Sequence, residues 1–451
     1  MNVHDVRRVA FLGIGGIGMS ALARYFHARG ATVTGYDRTP TLLTAQLERE
    51  GISIHYEEDI SRIMSDAQLV VYTPAIPSDH AELVYYQQRG YPVLKRAEVL
   101  QLITAELFTI AIAGTHGKTT TAALIAHVLK SCGIDCMAFL GGIALNYHSN
   151  FLDGTSGICV VEADEFDRSF LKLRPDVAVV TSCDPDHLDI YEAPEEVVRS
   201  FGDFASRLKA GGVLITRPGL AFLPYVNFFN IHFYGIHQEA DVRAHHIEPT
   251  EIGQRFAVTW SKGTIGDIHL PLPGGYNVEN AVAAVAVGLY LEANPEQIKK
   301  GLETFRGVKR RFEWIRRTER YWFIDDYAHH PVEIEAFLGA VRQLCGPRLI
   351  TCVFQPHLYS RTRDFAEGFG KALSLADRVI LLPIYAAREA PLEGVDSSLL
   401  LGYLTGCRAM LASKQELFEL LRQQPPEVLV TVGAGDIDEL VMPLAQMLDQ
   451  L

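Results

Sequence analysis

The sequence predicts an α/β protein of three domains, each built on a mainly parallel sheet, and three observations carry that reading. Apolar strands alternate with helical stretches along nearly the whole chain, the pattern of parallel strands joined by crossover helices. A strand–loop–helix unit begins afresh three times, at "RVAFLGIG", at "FTIAIAGTHGKTTTAALIAHVLKSCG" and at "YWFIDDYAHHP". A length of 451 residues is also too great for one hydrophobic core.

In the first domain the strand "RVAFLGIG" leads through a glycine-rich turn into the helical pattern "GMSALARYFHARG". Strands follow at "ATVTGYD", "LVVYTPA" and "YPVLKR". The second domain opens near residue 105 and continues with apolar strands at "GICVVEAD", "VAVVTSCD" and "GVLITRP". Region 225–273 alternates more like antiparallel strands ("HFYGI", "RFAVTW", "GDIHLPL"), and "NVENAVAAVAVGLYL" is a strong helix with Asn277 near its start. The basic run 309–320 leads out of this domain, and strands "RLITCVFQP", "RVILLPIY" and "VLVTVGAGD" belong to the third. The expected architecture is a Rossmann-like N-terminal domain over 1–104, a central P-loop, ATPase-type α/β domain over 105–318 and a Rossmann-like C-terminal α/β domain over 319–451.

Composition excludes several classes. With 48% hydrophobic and 21% charged residues the chain is an ordinary globular protein. The net charge of −13 argues against a nucleic-acid binder, which needs an electropositive face. Anionic ligands must then be met by local cations and backbone amides. Seven cysteines without CxxC pairs suit reduced thiols in a cytoplasm. No apolar segment is long enough to span a bilayer, so no stable membrane association is expected. The N-terminal "MNVHDVRRVAFLGIGGIGM" faintly has the charge pattern of a secretory signal, but its glycines favour a strand and loop.

Two loops carry the chemistry. Gly13, Gly15, Gly16 and Gly18 lie between a strand and a helix, where glycines let the backbone approach a diphosphate. Asp37 ends the next strand, near the distance at which an acid meets a ribose hydroxyl. The second loop, Gly114, Thr115, His116, Gly117, Lys118, Thr119 and Thr120, combines a cation for β- and γ-phosphates with a hydroxyl for magnesium. It departs from the usual P-loop, because Ile112 stands where the first glycine is expected. Acidic clusters follow at two strand ends, with Glu162, Asp164, Glu165 and Asp167 in one and Asp184, Asp186, His187 and Asp189 in the other. Such clusters are often solvated loops; beside a P-loop, on the ligand side of a parallel sheet, they favour metal binding.

The segments "GTHGKTTT", "EADEFDRSF", "DPDHLD", "GYNVENAVAA", "DDYAHHP" and "FQPHLYSRTRDF" occur in the order and spacing of the Mur ligase family. The resemblance runs from about residue 8 to about 437, and it accounts for Ile112: these ligases use the shortened loop G-T-x-G-K-[ST]. With "GIGGIGMSALA" at the front, the chain is similar to the alanine-adding branch. That resemblance implies an ATP-dependent acid–amino-acid ligase of peptidoglycan precursor synthesis, acting on UDP-N-acetylmuramate, L-alanine and ATP with Mg2+ or Mn2+. It implies a cytoplasmic monomer or homodimer.

Carried over by position, Gly13, Gly15, Gly16 and Gly18 would hold the UDP-sugar diphosphate, with Asp37 and Thr73 nearby. Lys118 and Thr119 would meet ATP phosphates and metal, and Glu162 and His187 the metal pair. Asn277 and Asn280 would face adenine, and Arg311 and Asp326 would reach the nucleotide. Tyr327, His329 and Arg361 would lie near the alanine and the reacting carboxyl. Duller readings stand beside these: Asn277 as a helix cap, His329 and His330 as packing before Pro331, and 309–311 as a solvated hinge. Relatives often carry arginine at the position of Leu358, and the stretch "YEAPEEVVRSFGDFASR" lacks the lysine that some members carbamylate. The competing functions are a recycling ligase that adds a tripeptide to UDP-N-acetylmuramate, an NAD-dependent oxidoreductase, and a nucleotide-sensing module.

Overall fold

The computed structural model describes residues 3–184, 191, 193–228, 230–236, 239–387 and 389–451. Two compact units result: 3–245 with 258–266 and 279–305, and 246–257 with 267–278 and 306–451.

The first unit opens with a five-stranded sheet in the order Ser53–His55, Thr32–Tyr36, Arg8–Leu12, Leu69–Tyr72, Val93–Lys95. Its four pairings are parallel, so the strand ends after Leu12, Tyr36, Tyr72 and Lys95 share one edge. The helix Ile17–Ala28 follows the glycine turn and buries Leu22, Tyr25 and Phe26.

That helix is clamped to the hairpin Met137–Ala144 and Ser149–Leu152 of the central sheet. Arg24 holds Glu50 with two bonds of 2.8 and 2.9 Å and donates a third to the amide oxygen of Asn150. Asn150, fully buried, returns its amide N–H groups to the Ile17 carbonyl and the Ser20 hydroxyl. Arg29 reaches Asp153 at 3.1 Å.

The central sheet has ten strands. Its core runs Ile231–Gly235, Val213–Thr216, Val177–Val180, Phe108–Ala113, Ile158–Glu162, Met137–Ala144, all parallel neighbours. The hairpin strand Ser149–Leu152 closes one end antiparallel. Ile231–Gly235 corrects the antiparallel expectation for this region: it pairs in parallel with Val213–Thr216 and with Val242–Pro249. Alternation shows only that one face is wet; it does not set strand direction. Beyond it come Val242–Pro249, Gln254–Trp260 and Gly263–Leu270.

The helix Lys118–Ser131 is buried over every residue from Thr119 to Leu129, as expected for one with no wet face. His127 lies on it, its ring nitrogens 2.8 Å from the Tyr147 hydroxyl and 3.0 Å from the Thr304 hydroxyl. Burial lowers its pKa to about 4. The unfolded chain, with an imidazole near 6.5, takes up a proton first as pH falls. Stability is therefore complete above about pH 6.5 and declines from there toward pH 4, by about 2 kcal/mol at pH 4.5. His127→Gln flattens that window, measured as the urea midpoint at pH 7.5 against pH 4.5.

The second unit carries a six-stranded sheet in the order Glu313–Arg317, Trp322–Asp326, Val428–Val432, Ile350–Phe354, Arg378–Leu381, Arg408–Leu411. The first pair is antiparallel and the rest parallel. Helix Pro331–Cys345 begins with proline at its first position, where no N–H is needed. His330 caps it, Nδ1 accepting from Val332 N at 3.3 Å.

Candidate active site

At the N-terminal sheet the strand Arg8–Leu12 turns at Gly13, whose φ of +84° suits glycine. A Cβ there would lie 2.5 Å from the Thr73 methyl, so Thr73 packs on the loop. Asp37 is tied to the glycine turn. Its carboxylate accepts from Gly15 N at 2.7 Å and from Thr39 N at 3.1 Å, which makes it a support of the loop. Gly16 caps the helix without a side-chain bond.

The second loop explains the absent glycine. Ile112 is fully buried within the strand Phe108–Ala113 and pairs with Glu162 of the neighbouring strand. The strand runs one residue further, so the turn occupies only 114–117. It is stitched to the end of strand Val177–Val180: Thr115 Oγ1 donates to the Asp184 carbonyl at 2.7 Å, His116 N to Ser182 Oγ at 2.8 Å, and Thr181 Oγ1 to the His116 carbonyl at 2.5 Å. The His116 ring lies 3.6 Å from the Asp184 carboxylate. Gly117 has φ +80° and starts helix Lys118–Ser131, with Thr120 buried in its first turn.

Three groups meet here. Lys118 Nζ is 2.8 Å from both carboxylate oxygens of Glu165, which is itself buried. Burial works to lower the lysine pKa, but Glu165, Asp164 and Glu162 outweigh it and hold the ammonium firmly charged. Thr119 Oγ1 donates to Glu162 Oε1 at 3.0 Å, and Gly141 N donates to Glu162 Oε2 at 2.8 Å. A hydroxyl and a carboxylate side by side are hard oxygen donors of the kind magnesium takes. His187, with Asp186 and Asp189, lies outside the described residues. Glu165 and Gly141 were not singled out from sequence for these roles. The signal was present for Gly141, since paired glycines inside a strand mark close approach of another group.

Asn280 meets the loop as well: Thr121 Oγ1 donates to its Oδ1 at 3.1 Å, and a Cβ on Gly117 would touch the same oxygen. One turn earlier, Asn277 is the third residue of helix Gly275–Tyr290 and donates its amide to the Pro273 carbonyl at 2.7 Å, a bond within the first turn and not the N-cap of the duller reading.

In the C-terminal domain Asp326 is also a support. Its oxygens accept from Phe312 N and Ala328 N, each at 2.7 Å. Burial pushes its carboxyl up to about 6 in spite of Arg311. The bonded amides flank Arg311 and Tyr327, whose guanidinium and ring lie 5.1 Å apart, so Asp326 orients the two. His329 packs against Tyr327 and against His357, with ring centres 5.4 and 6.2 Å away. Arg361 is buried on helix Tyr359–Asp364. Leu358, before that helix, holds φ +68°, a strained value for a branched residue. The hydroxyl and N–H of Ser360 donate to Glu389, which braces the turn carrying Arg361.

Three family models match in succession: the Mur ligase family catalytic domain over 8–107, the Mur ligase middle domain over 112–288, and the Mur ligase glutamate ligase domain over 310–435. The chain belongs to the Mur ligase family. Among curated relatives it is similar to the UDP-N-acetylmuramate–L-alanine ligases of Porphyromonas gingivalis, 46% identical over 99% of this chain and 100% of that one, and of Cytophaga hutchinsonii, 43% identical over 100% and 98%. Its structure is similar to that of the UDP-N-acetylmuramate-alanine ligase of Thermotoga maritima, with a TM-score of 0.84, 28% identity and coverage of 98% and 99%. A murein peptide ligase of Psychrobacter arcticus shares the fold, with a TM-score of 0.74 at 22% identity over 99% of each chain. The three-domain α/β fold is thus that of the Mur ligases.

Proposed function

We propose that this Mur ligase joins L-alanine to the lactyl carboxylate of UDP-N-acetylmuramate, converting ATP to ADP and phosphate. The observation that carries the reading is the Lys118–Thr119–Glu162 grouping, in a chain similar over its whole length to alanine-adding ligases. The domains divide the work as 1–104 for the UDP-sugar, 105–318 for ATP and 319–451 for the amino acid, in the cytoplasm. Among the described residues no helix is long and apolar enough to cross a membrane.

A carboxylate and an amine do not condense in water without activation, so the carboxylate must gain a leaving group. Lys118 faces the terminal phosphates and offsets charge as the γ-phosphoryl group passes to the lactyl oxygen. Thr119 and Glu162, with His187, would hold Mg2+, which when bound supplies positive charge at the phosphates. Asn280 supports the loop beside the base, and Arg311 adds charge from the C-terminal domain. The alanine amine then attacks the acyl phosphate. Arg361 pairs with the amino-acid carboxylate, Tyr327 and His329 line its place, and His329 can accept the amine proton.

Hydroxylamine tests the intermediate: a hydroxamate forms only with ATP and UDP-N-acetylmuramate both present. A product carrying AMP refutes the scheme. Offering free L-alanine, glycine, serine or the cell-wall tripeptide in a phosphate-release assay decides the acceptor; preference for the tripeptide transfers the assignment to the recycling reaction.

A further inference from the structure

The front loop has a cation that the glycine pattern does not announce. Arg96 is the first residue of helix Arg96–Thr104 and directly follows the edge strand Val93–Lys95. All strands of this sheet run parallel, so Arg96 stands on the same edge as the glycine turn, Asp37 and Thr73. A Cβ built on Gly18 would meet Arg96 Nη1 at 2.8 Å, Cδ at 3.0 Å and Cζ at 3.3 Å. The arginine therefore lies across the first turn of helix Ile17–Ala28, in the space that a side chain at Gly18 would fill. The last glycine of such a turn ordinarily permits helix–strand packing; here it admits a guanidinium.

The first turn of that helix carries no acidic residue and no side-chain cap. The partner of Arg96 comes from the central sheet: Asp164 Oδ2, 4.0 Å away, on a side chain 41% exposed. Contact at that distance is loose. Asp164 sits between Glu162 and Glu165, which serve Thr119 and Lys118.

We propose that Arg96 binds the diphosphate of the nucleotide-sugar substrate, exchanging its loose contact with Asp164 for phosphate oxygens. The proposal rests on the front domain being the nucleotide-sugar site. A planar guanidinium donates two parallel bonds to phosphate, which an ammonium cannot do. Arg96 is thereby a specificity residue for the second phosphate, and no Cβ is tolerated at Gly18 while it stays in place.

Calorimetric titration of the full chain with UDP, UMP and ATP tests this. Wild type should bind UDP more tightly than UMP. Arg96→Gln should weaken UDP binding about ten- to a hundredfold and remove most of the preference over UMP. Arg96→Lys should fall between. Asp164→Asn should bind UDP at least as tightly as wild type, because the competing carboxylate is gone. ATP binding should stay within about twofold in Arg96→Gln and Arg96→Lys, which separates loss of a phosphate contact from loss of the fold. Unchanged UDP affinity and unchanged preference in Arg96→Gln would overturn the proposal while leaving the proposed reaction standing. A wild-type chain that binds ATP but neither UDP nor UDP-N-acetylmuramate would remove the front-domain reading itself, and the proposal with it.

Discussion

Lys118→Ala is expected to lower kcat/KM for ligation by about a thousandfold or more, because no other described cation of this loop can meet the transferring phosphoryl group. The substitution also removes the Lys118 ammonium from beside Glu165. A buried carboxylate left without its cation costs about 3–5 kcal/mol, so the single variant will also melt early and its inactivity alone proves little. The informative comparison is Lys118→Ala with Glu165→Gln in one chain. The double variant should regain most of the lost melting temperature and none of the activity. Recovery of ligation in the double variant would show that Lys118 acts only as a structural counter-ion. Phosphate release and thermal melting on the same preparations supply both readings.

Gly114→Ala is expected to be nearly as damaging, for a reason independent of charge. Gly114 holds φ +138°, and a methyl group there would lie 2.1 Å from Thr181 Oγ1 and 2.9 Å from Ser182 N. Those atoms belong to the segment that secures the turn through His116. Backbone strain and overpacking together should cost about 2–5 kcal/mol, and the displaced loop should lose ATP binding. Gly133→Ala is the control: it too has positive φ, +78°, but nothing lies within 4 Å of its Cβ position. Gly133→Ala should melt slightly lower and keep its ATP affinity. Equal ATP affinity in the two variants would show that the packing of Gly114 does not govern the loop.

Both expectations depend on partners that sequence alone did not supply. The loop itself was legible because glycines, lysine and threonines at that spacing have few other uses, and because an apolar strand preceded them. Even the missing glycine was legible as a family trait, although its cause, Ile112 continuing the strand, required the sheet register. Glu165 as the mate of Lys118 was not legible. Several carboxylates follow Glu162 in the chain, and only the path of the backbone after strand Ile158–Glu162 selects one of them.

Asp37 and Asp326 show a second limit. Sequence names an acid at the end of a strand beside a nucleotide loop, but not the backbone N–H groups that both carboxylates accept. A side chain's direction at a turn depends on neighbouring φ and ψ, which residue type constrains weakly. The direction of strand Ile231–Gly235 failed for a related reason: pairing partner and orientation are properties of the sheet, and periodicity is a property of one strand. Asn277 sits two residues inside the helix start, so its amide bonds the Pro273 carbonyl and does not cap the helix.

The junction through Arg24, Glu50 and Asn150 has a consequence for what can be processed. It locks the helix behind the diphosphate turn onto a hairpin of the sheet that carries the phosphate-transfer loop. On the proposed reaction, that tie sets the span between the two loops, as a calliper sets its jaws. A donor whose acid sits one bond-length class closer to, or farther from, its diphosphate would be gripped at one end and miss at the other.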